Sequence, residues 1–271
     1  MVNIWQETLT VNFGAVDRSD RLTLASTFDF FQEVAICHAE DLGCGRDAMA
    51  RLGQVWVLSR ISVLLERRPK QGEAITVRSW PRGWERLFAV RDYDIRDASD
   101  APIVRGRSSW IILDIERRRP LRPQALMGAL PLNEGLDALP GGGGALEARD
   151  RLLSAGERRA AYSDIDYNGH VNNARYIQWI QDITEPEILE RAERMRLDIN
   201  YLSEIKPGEV TGLFKAPIIP GEAPAASGEK ALAFEGRRQL LPEPAGPSPG
   251  EPGPAEAALF RAELRTWEKE R

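Results

Sequence analysis

Apolar residues recur with two different periods along this chain. Residues 7 to 13, ETLTVNF, alternate polar and apolar side chains, which is typical of a half-buried strand. From Leu24 to Leu42 the apolar residues instead recur every three or four positions, and Gly43 follows the last of them. This spacing places them on one stripe, so it predicts a long, largely buried helix that ends at the glycine.

Four β-rich segments follow this helix between residues 55 and 116. They are VWVLSRISVLLERR, AITVRSWPRG, RLFAVRDYDIRD and IVRGRSSWIILDIE, and turn-forming stretches such as KQGE and ASDAP separate them. Short strands divided by tight turns predict an antiparallel sheet. Residues 1–130 are therefore expected to form a first domain, and the Gly/Pro-rich residues 131–150 a linker. The four consecutive glycines do not suit a phosphate loop, because no Lys-Ser/Thr follows them.

Residues 151–271 repeat the plan of the first domain. The segment NNARYIQWIQDI predicts a helix, and EPEILERAERM predicts a second one, with Thr184 as its cap and Pro186 in its first turn. The predicted strands are LDINYLSEI, EVTGLFKAPII, KALAFEGRRQ and AALFRAELRTWEK. Between the last two strands, about residues 241–256 form a Pro/Gly-rich insertion that cannot pack as a regular element.

The two halves can be superposed along the sequence. Residues 61–77 match residues 197–213 at a constant offset of 136, and residues 17–22 stand opposite residues 166–171. Two matches in the same order indicate an internal duplication, in which each copy is a helix laid on an antiparallel sheet. Pairing the copies edge to edge would extend the sheet and remove one exposed edge from each. The first copy carries Ser19, Arg21 and Arg68 where the second carries Asn168, His170 and Glu204.

Composition narrows the class of protein. Apolar residues make up 42% of the chain and charged residues 28%, as in ordinary globular proteins, and the net charge of −5 argues against general nucleic-acid binding. No secretory signal is visible, and no window approaches the roughly 18 apolar residues of a membrane span. Two helical turns, about 10 Å, separate Cys37 from Cys44, too far for a disulfide. We therefore expect a cytoplasmic protein.

The stretch DIDYNGHVNN, residues 164–173, carries the candidate chemistry. Asp166, Asn168 and His170 occupy alternate positions, so they would share one face of an extended segment, although Asn-Gly also favours a turn. A helix follows, and its free N–H groups can stabilise an oxyanion. Imidazole titrates near neutrality, and a carboxylate can fix its tautomer. The stretch is thus interpreted either as a site that activates water or as a capped turn with a solvated histidine.

A family resemblance favours the first interpretation. The motif DIDYNGHVNNARYIQWI closely resembles the signature of acyl-acyl carrier protein thioesterases. The similarity extends to GQVWVLSRISV, VRSWPRGWERLFAVRDYDI and SSWIILDIERRRPLRP, and it covers about residues 5 to 235 and the final strand. The resemblance implies an α+β fold of two tandem hotdog repeats, each an antiparallel sheet wrapped around a long helix. It also implies an active site in the second repeat and an acyl-chain cavity mainly in the first.

The implied activity is hydrolysis of the thioester that joins a fatty acyl chain to acyl carrier protein. The family's catalytic Asp, Asn and His fall on Asp166, Asn168 and His170, and its catalytic Glu falls on Glu204 in NYLSEIKPGE. Ile205 stands where plant members often have Cys, so the chemistry must work through carboxylates, His and water. Neither cofactor nor metal is expected. No transit peptide is visible, which suggests a bacterial type.

Several alternatives remain at this level. The chain could hydrolyse acyl-coenzyme A, hydrate an unsaturated acyl chain, or bind acyl chains without catalysis, and it could form a homodimer. Phe28, Phe31, Trp56 and Trp80 are expected in the core, with lining of an acyl tunnel as the alternative. The adjacent Cys37 and His38 would point about 100° apart on a helix, which disfavours a nucleophile pair. The arginine runs LERRPK, RSWPRGWER and ERRRPLR would be solvated faces, or would dock the acidic carrier protein.

Overall fold

A computed structural model of the chain describes residues 3–122, 130–133, 135–218, 229–239 and 257–268. The insertion predicted at residues 241–256 lies outside them. The first half contains β1 (Trp5–Thr10), α1 (Leu24–Asp41), α2 (Arg46–Arg51), β2 (Gln54–Leu65), β3 (Ala74–Glu85), β4 (Phe88–Arg96), β5 (Pro102–Asp114) and β6 (Arg119–Pro120). The second half contains β7 (Leu153–Arg159), α3 (Asn173–Asp182), α4 (Pro186–Arg191), β8 (Ala192–Tyr201), β9 (Val210–Pro217), β10 (Glu229–Arg238) and β11 (Ala258–Glu268).

All these strands form one antiparallel sheet whose two halves have equivalent strand orders. Its order is β1-β3-β4-β5-β2-β8-β11-β10-β9-β7, with β6 paired to β5. Read from either outer edge, the strands follow the same order within each half, and β2 pairs with β8 at the centre. The predicted duplication and its edge-to-edge pairing are confirmed. Among the described strands, this pairing leaves β1 and β7 as the edges of the main sheet.

A pseudo-two-fold axis passes through the central strand pair. Ser62 lies opposite Asp198 in the register of β2 and β8, and the same two residues correspond to each other at the offset of 136. The Ser62 hydroxyl donates to the Asp198 carboxylate across this axis. The contact between the repeats is therefore self-complementary, as in an isologous dimer.

The helices lie on one face of the sheet. Thr23 caps α1, its Oγ1 accepting from the Ser26 N–H at 3.0 Å, and Gly43 follows α1 with φ +68°, as the sequence predicts. The second-repeat helix is shorter, with 10 residues in α3 against 18 in α1. The two helices pack side by side, and the Ala25 N–H donates to Gln181 Oε1 at 2.8 Å.

The helix predicted over EPEILERAERM is only half right. Pro186 occupies its first turn, but α4 ends at Arg191 and the following residues form β8, because Met195 pairs with both Leu65 and Thr266. Sheet pairing on both sides outweighs the helical propensity of this segment. Thr184 does not cap the helix, since its hydroxyl instead donates to the Ile180 carbonyl at 2.7 Å.

The predicted linker packs as a strap over the face of the sheet opposite the helices. We define the strap as residues 135–146, which contain no helix or strand. The Gly143 N–H donates to Ser62 Oγ at 2.8 Å, and the Leu146 N–H donates to Asn200 Oδ1 at 2.7 Å. Gly143 has φ +84°, a conformation that favours glycine, and a Cβ at Gly142 would make tight contacts of 3.3 Å with side chains of the sheet. The strap thus covers the seam between the repeats.

His38 lies on the buried side of α1 and is neutral at pH 7. Its Nε2 lies 3.0 Å from Asn3 Oδ1, and its Nδ1 lies 3.2 Å from an Arg91 nitrogen. Burial, reinforced by the nearby Arg91 charge, lowers the His38 pKa to about 4. The Cys37 thiol instead contacts Glu33, so Cys37 and His38 do not form a nucleophile pair, as predicted.

This buried imidazole predicts a pH-dependent stability. The unfolded chain binds a proton at His38 near pH 6.5 and the folded chain only near pH 4, so acid favours unfolding across that window. The free energy of unfolding should fall by up to about 3 kcal/mol from this residue as the pH drops from 6.5 to 4. Urea unfolding of His38→Gln should show a shallower pH slope than the wild type and Cys37→Ser. Equal slopes in all three proteins would contradict the assignment.

Candidate active site

The stretch that carries Asp166, Asn168 and His170 forms a tight turn. Its closing bonds run from the Asp166 N–H to the His170 carbonyl and from the Gly169 N–H to the Asp166 carbonyl, both at 3.0 Å. Gly169 has φ +81°, a conformation that glycine adopts without strain. The alternate-position geometry of an extended segment is therefore wrong, and the Asn-Gly turn is the correct interpretation.

The four predicted residues come together at this turn as two pairs. Asp166 accepts from the Asn168 backbone N–H at 2.8 Å and from its side-chain amide at 3.4 Å. His170 Nε2 lies 3.0 Å from Glu204 Oε2, and both side chains are about one-third exposed, at 28% and 34%. In the described residues, no side-chain hydrogen bond joins the two pairs. The Val171 N–H bond to the Ile205 carbonyl, at 2.9 Å, holds the Glu204 loop against the turn.

Helix α3 begins directly after the turn. Its cap, Asn172, accepts the Ala174 N–H at its side chain and the Arg175 N–H at its carbonyl, at 2.8 and 2.9 Å. The cap does not occupy the N–H of Asn173, whose carbonyl accepts the Tyr201 hydroxyl at 3.0 Å. The positive end of the α3 dipole thus lies beside His170 and Glu204, where it can stabilise a developing oxyanion.

The first repeat contains the same turn and keeps its aspartate, but it lacks the histidine and the glutamate. The Asp17 N–H donates to the Arg21 carbonyl at 2.9 Å, and the Asp20 N–H to the Asp17 carbonyl at 3.0 Å, as in the second repeat. Arg68 takes the place of Glu204 and donates to Asp17 at 2.8 Å. In the first copy the aspartate of the turn is thus held by a cation, and no imidazole stands beside it. Of the two copies, only the second pairs an imidazole with a carboxylate.

Three arginines around the site were not predicted from the sequence. Arg118 donates to Glu204 Oε2 at 2.9 Å, and Arg238 donates to the Glu204 carbonyl at 2.9 Å. The Arg46 guanidinium lies 4.3 Å from the ring centre of Tyr167. No sequence pattern could have found the contact of Arg118, because 86 residues separate it from Glu204.

The aromatic residues proposed for the first-repeat interior divide between the two faces of the sheet. Phe28 and Phe31 are buried between α1 and the sheet, and Phe31 stacks on Tyr93 at 4.6 Å. Trp56 is half-buried beside Trp84. Trp80 lies on the opposite face, where its Nε1 donates to the Leu136 carbonyl of the strap, so it cannot line a channel under α1.

In the described part of the chain, the clearest cavity does not lie at the site. A cleft of about 490 Å³ lies on the face of the sheet opposite the helices. Its lining includes Leu64, Asp198 and Trp267 but none of the four predicted site residues. The acyl-chain cavity of the first repeat therefore stays a prediction. Within the described ranges, no group of His, Cys, Asp and Glu side chains is arranged to hold a metal, and no helix has the length and hydrophobicity to cross a membrane.

Two family models match the chain in the order of its repeats. The acyl-ACP (acyl carrier protein) thioesterase N-terminal domain matches residues 3–125, and the acyl-ACP thioesterase C-terminal domain matches residues 152–228. The chain belongs to the acyl-ACP thioesterase family. The family assignment made from the DIDYNGHVNN motif is thus confirmed.

Characterised members of the family are distant relatives of this chain. The chloroplastic acyl-(acyl-carrier-protein) hydrolase of Cuphea viscosissima is 24% identical over 90% of this chain and 64% of its own length. The oleoyl-acyl carrier protein thioesterase 1 of Arabidopsis thaliana is 25% identical over 76% of this chain and 62% of its own length. The chain thus spans less than two thirds of these two relatives.

Solved structures share the fold over nearly the whole chain. An acyl-ACP thioesterase from Bacteroides thetaiotaomicron superposes with a TM-score of 0.75 at 24% identity, covering 96% of both chains. The 12:0-ACP thioesterase from Umbellularia californica superposes with a TM-score of 0.74 at 18% identity, covering 98% of this chain and 97% of the other. The predicted α+β fold of two tandem hotdog repeats is confirmed.

Proposed function

We propose that this protein hydrolyses the thioester of fatty acyl-ACP, releasing free fatty acid and holo-ACP. The observation that carries the proposal is the His170–Glu204 pair at 3.0 Å, beside the start of α3 and the Asp166–Asn168 pair. Membership of the acyl-ACP thioesterase family supports the same activity. Asp166, Asn168, His170 and Glu204 are the proposed catalytic residues, and ACP is the proposed partner.

The geometry supports general-base hydrolysis. The thioester carbonyl oxygen would accept from the Asn173 N–H and the Asn168 side-chain amide. Glu204, held by His170, would take a proton from water as the water oxygen attacks the carbonyl carbon. The tetrahedral intermediate then expels the pantetheine thiolate as the C–S bond breaks, and the proton passes from Glu204 through His170 to sulfur. Asp166 holds Asn168 in place through its two hydrogen bonds.

A carboxylate could instead attack the thioester directly. Glu204 or Asp166 would then form a mixed anhydride that water hydrolyses in a second step. Single-turnover hydrolysis in ¹⁸O-water separates the two routes. The general-base route places one ¹⁸O in every fatty acid released and none in the protein, whereas labelling of a site carboxylate would indicate the anhydride.

The decisive assay measures thiol release from matched acyl-ACP and acyl-coenzyme A esters of increasing chain length. We expect a higher kcat/KM for the carrier-protein esters. A preference for coenzyme A esters would favour an acyl-coenzyme A thioesterase. Acyl binding without thiol release would indicate a non-catalytic acyl-binding module, and loss of the double bond from an enoyl ester without thiol release would indicate a hydratase.

Of the three arginine runs, ERRRPLR best supports docking of an acidic carrier protein. In the other two runs, four arginines are held by neighbouring carboxylates: Arg67 by Glu73, Arg68 by Asp17, Arg78 by Asp94 and Arg82 by Asp137. The run ERRRPLR lies instead at the β5–β6 turn, whose Arg118 contacts Glu204. Arg117 and Arg119 flank it, are exposed, and form no ion pair within the described residues.

This docking role predicts a salt-dependent KM. For the wild type, the KM for acyl-ACP should rise with ionic strength, because exposed charges are screened beyond about 10 Å at 0.1 M salt. Reversing both charges, Arg117→Glu with Arg119→Glu, should raise that KM on the order of 10-fold at low salt and reduce its salt dependence. A wild-type KM that is unchanged by salt would contradict the docking role.

A further inference from the structure

One oxygen of Glu204 is held by both repeats. Glu204 Oε2 lies 3.0 Å from His170 Nε2 of the second repeat and 2.9 Å from Arg118 Nη2 of the first. Within the described residues, Arg238 also contacts Glu204, but it donates to the backbone carbonyl and not to the carboxylate. His170 and Arg118 are therefore the two side chains that fix the position of this carboxylate.

The β5–β6 turn presents Arg118 on a fixed backbone. The Arg118 N–H donates to the Asp114 carbonyl at 2.9 Å, and the Arg117 N–H donates to Asp114 Oδ1 at 2.7 Å. The Ile115 N–H donates to the Gly53 carbonyl at 2.9 Å, which anchors the turn to the start of β2. Arg118 itself has φ +53°, a left-handed conformation that is unfavourable for a non-glycine residue and that the surrounding bonds sustain.

The first repeat shows why the second needs a cation from outside. Arg68, at the position equivalent to Glu204, is buried and finds its counter-charge, Asp17, within its own repeat. Glu204 reverses the charge at this position, and its equivalent of Asp17, Asp166, is also acidic. Glu204 thus has no counter-charge within its own turn comparable to the Asp17 of Arg68, and Arg118 supplies one from the first repeat.

We infer that Arg118 is a positioning residue for Glu204, so that the first repeat completes the reaction centre of the second. The guanidinium bond is charge-assisted and keeps Oε2 against His170 Nε2. Without it, the partly exposed Glu204 side chain can rotate into solvent and leave the water unactivated. The expected loss of kcat rests on the proposed hydrolysis, whereas the positioning of the Glu204 carboxylate by Arg118 does not.

The kinetic test uses the neutral acyl-pantetheine ester, which needs no protein docking. Arg118 is 67% exposed, so its removal should have a modest effect. Arg118→Ala should lower kcat by about 5- to 10-fold with little change in KM, and Arg118→Lys should restore part of the loss. Glu116→Ala, a change at another exposed residue of the same turn, should leave kcat unchanged. A rise in KM for acyl-ACP alone would assign Arg118 to docking and overturn the inference.

A double-mutant cycle tests whether Arg118 acts through Glu204. In a Glu204→Gln background, Arg118→Ala should have no further effect on kcat, because the group it positions is already absent. Additive losses would mean that Arg118 acts independently of Glu204, and would overturn the positioning role.

A spectroscopic test remains valid even if the chain hydrolyses no thioester. The chain has two histidines, so the His170 ring nitrogens can be assigned by comparison with His170→Gln. Arg118→Ala should shift the His170 Nε2 resonance, because both side chains share one Glu204 oxygen, and Glu116→Ala should leave it in place. An unmoved resonance would overturn the inference. A shifted resonance without hydrolysis would support it and reject only the proposed function.

Discussion

Glu204→Ala is expected to lower kcat for acyl-ACP by about 10²- to 10⁴-fold with little change in KM. The variant removes the carboxylate that lies 3.0 Å from His170 Nε2, and with it the group proposed to take the proton from water. His170→Ala and Asp166→Asn should show losses in the same range, since one removes the proton carrier and the other weakens the anchor of Asn168. The measurement is steady-state thiol release, after circular dichroism has shown that each variant is folded.

The first repeat supplies a matched control for this experiment. Arg21 occupies the position of His170 in an equivalent turn, and its side chain has only a 3.4 Å contact with Glu193. Arg21→Ala should therefore retain wild-type turnover. Near-wild-type activity in all three second-repeat variants would reject the site, and a loss in Arg21→Ala as large as theirs would show that the assay reports folding.

Phe31→Ala is expected to lower the free energy of unfolding by about 3 to 5 kcal/mol. Phe31 is 1% exposed, it stacks on Tyr93, and its ring fills the space above Gly106, where an added Cβ would lie 2.5 Å from a ring carbon. The closely packed neighbours of Phe31 cannot move in to fill the space of the removed ring, so truncation should leave a cavity. The measurement is chemical denaturation, in which the midpoint should fall while the m-value stays unchanged.

This stability measurement distinguishes a core position for Phe31 from a position in the wall of an acyl tunnel. A ring that lined an open acyl tunnel would cost less than about 1.5 kcal/mol on truncation, and its loss would instead change the preferred chain length. Phe13→Ala is the matched control, because Phe13 is 80% exposed and its truncation should leave the unfolding free energy within about 0.5 kcal/mol. Gly106→Ala should destabilise the wild type but be tolerated in the Phe31→Ala background, since the clash is with that ring.

The fold could be predicted because local pattern and internal duplication agree. Apolar residues that recur with a period of two indicate strands, and those that recur every three to four positions indicate α1. The constant offset of 136 anticipates the pairing of β2 with β8. The same patterns failed where long-range pairing decides the conformation. The residues after Arg191 have a helical composition, yet they form β8 because strands lie on both sides of them.

The site could be predicted by residue type and only partly by geometry. The four side chains follow from the motif and the resemblance, but the turn at Gly169 replaces the extended arrangement. Trp80 is buried, as expected of a core residue, but it lies on the face opposite α1 because alternate strand residues face opposite sides. The contact of Arg118 with Glu204 crosses from one repeat to the other. Contacts between distant segments depend on the final packing, and no local pattern encodes them.

The pseudo-two-fold axis through Ser62 and Asp198 has a consequence for how such a protein can diverge. In a dimer of identical subunits, every substitution appears twice, so both clefts must stay competent or lose competence together. Fusion of the copies into one polypeptide removes this constraint. One turn can therefore carry the Arg68–Asp17 bridge while the other carries the His170–Glu204 pair, so the two halves of one polypeptide differ where the subunits of a homodimer cannot.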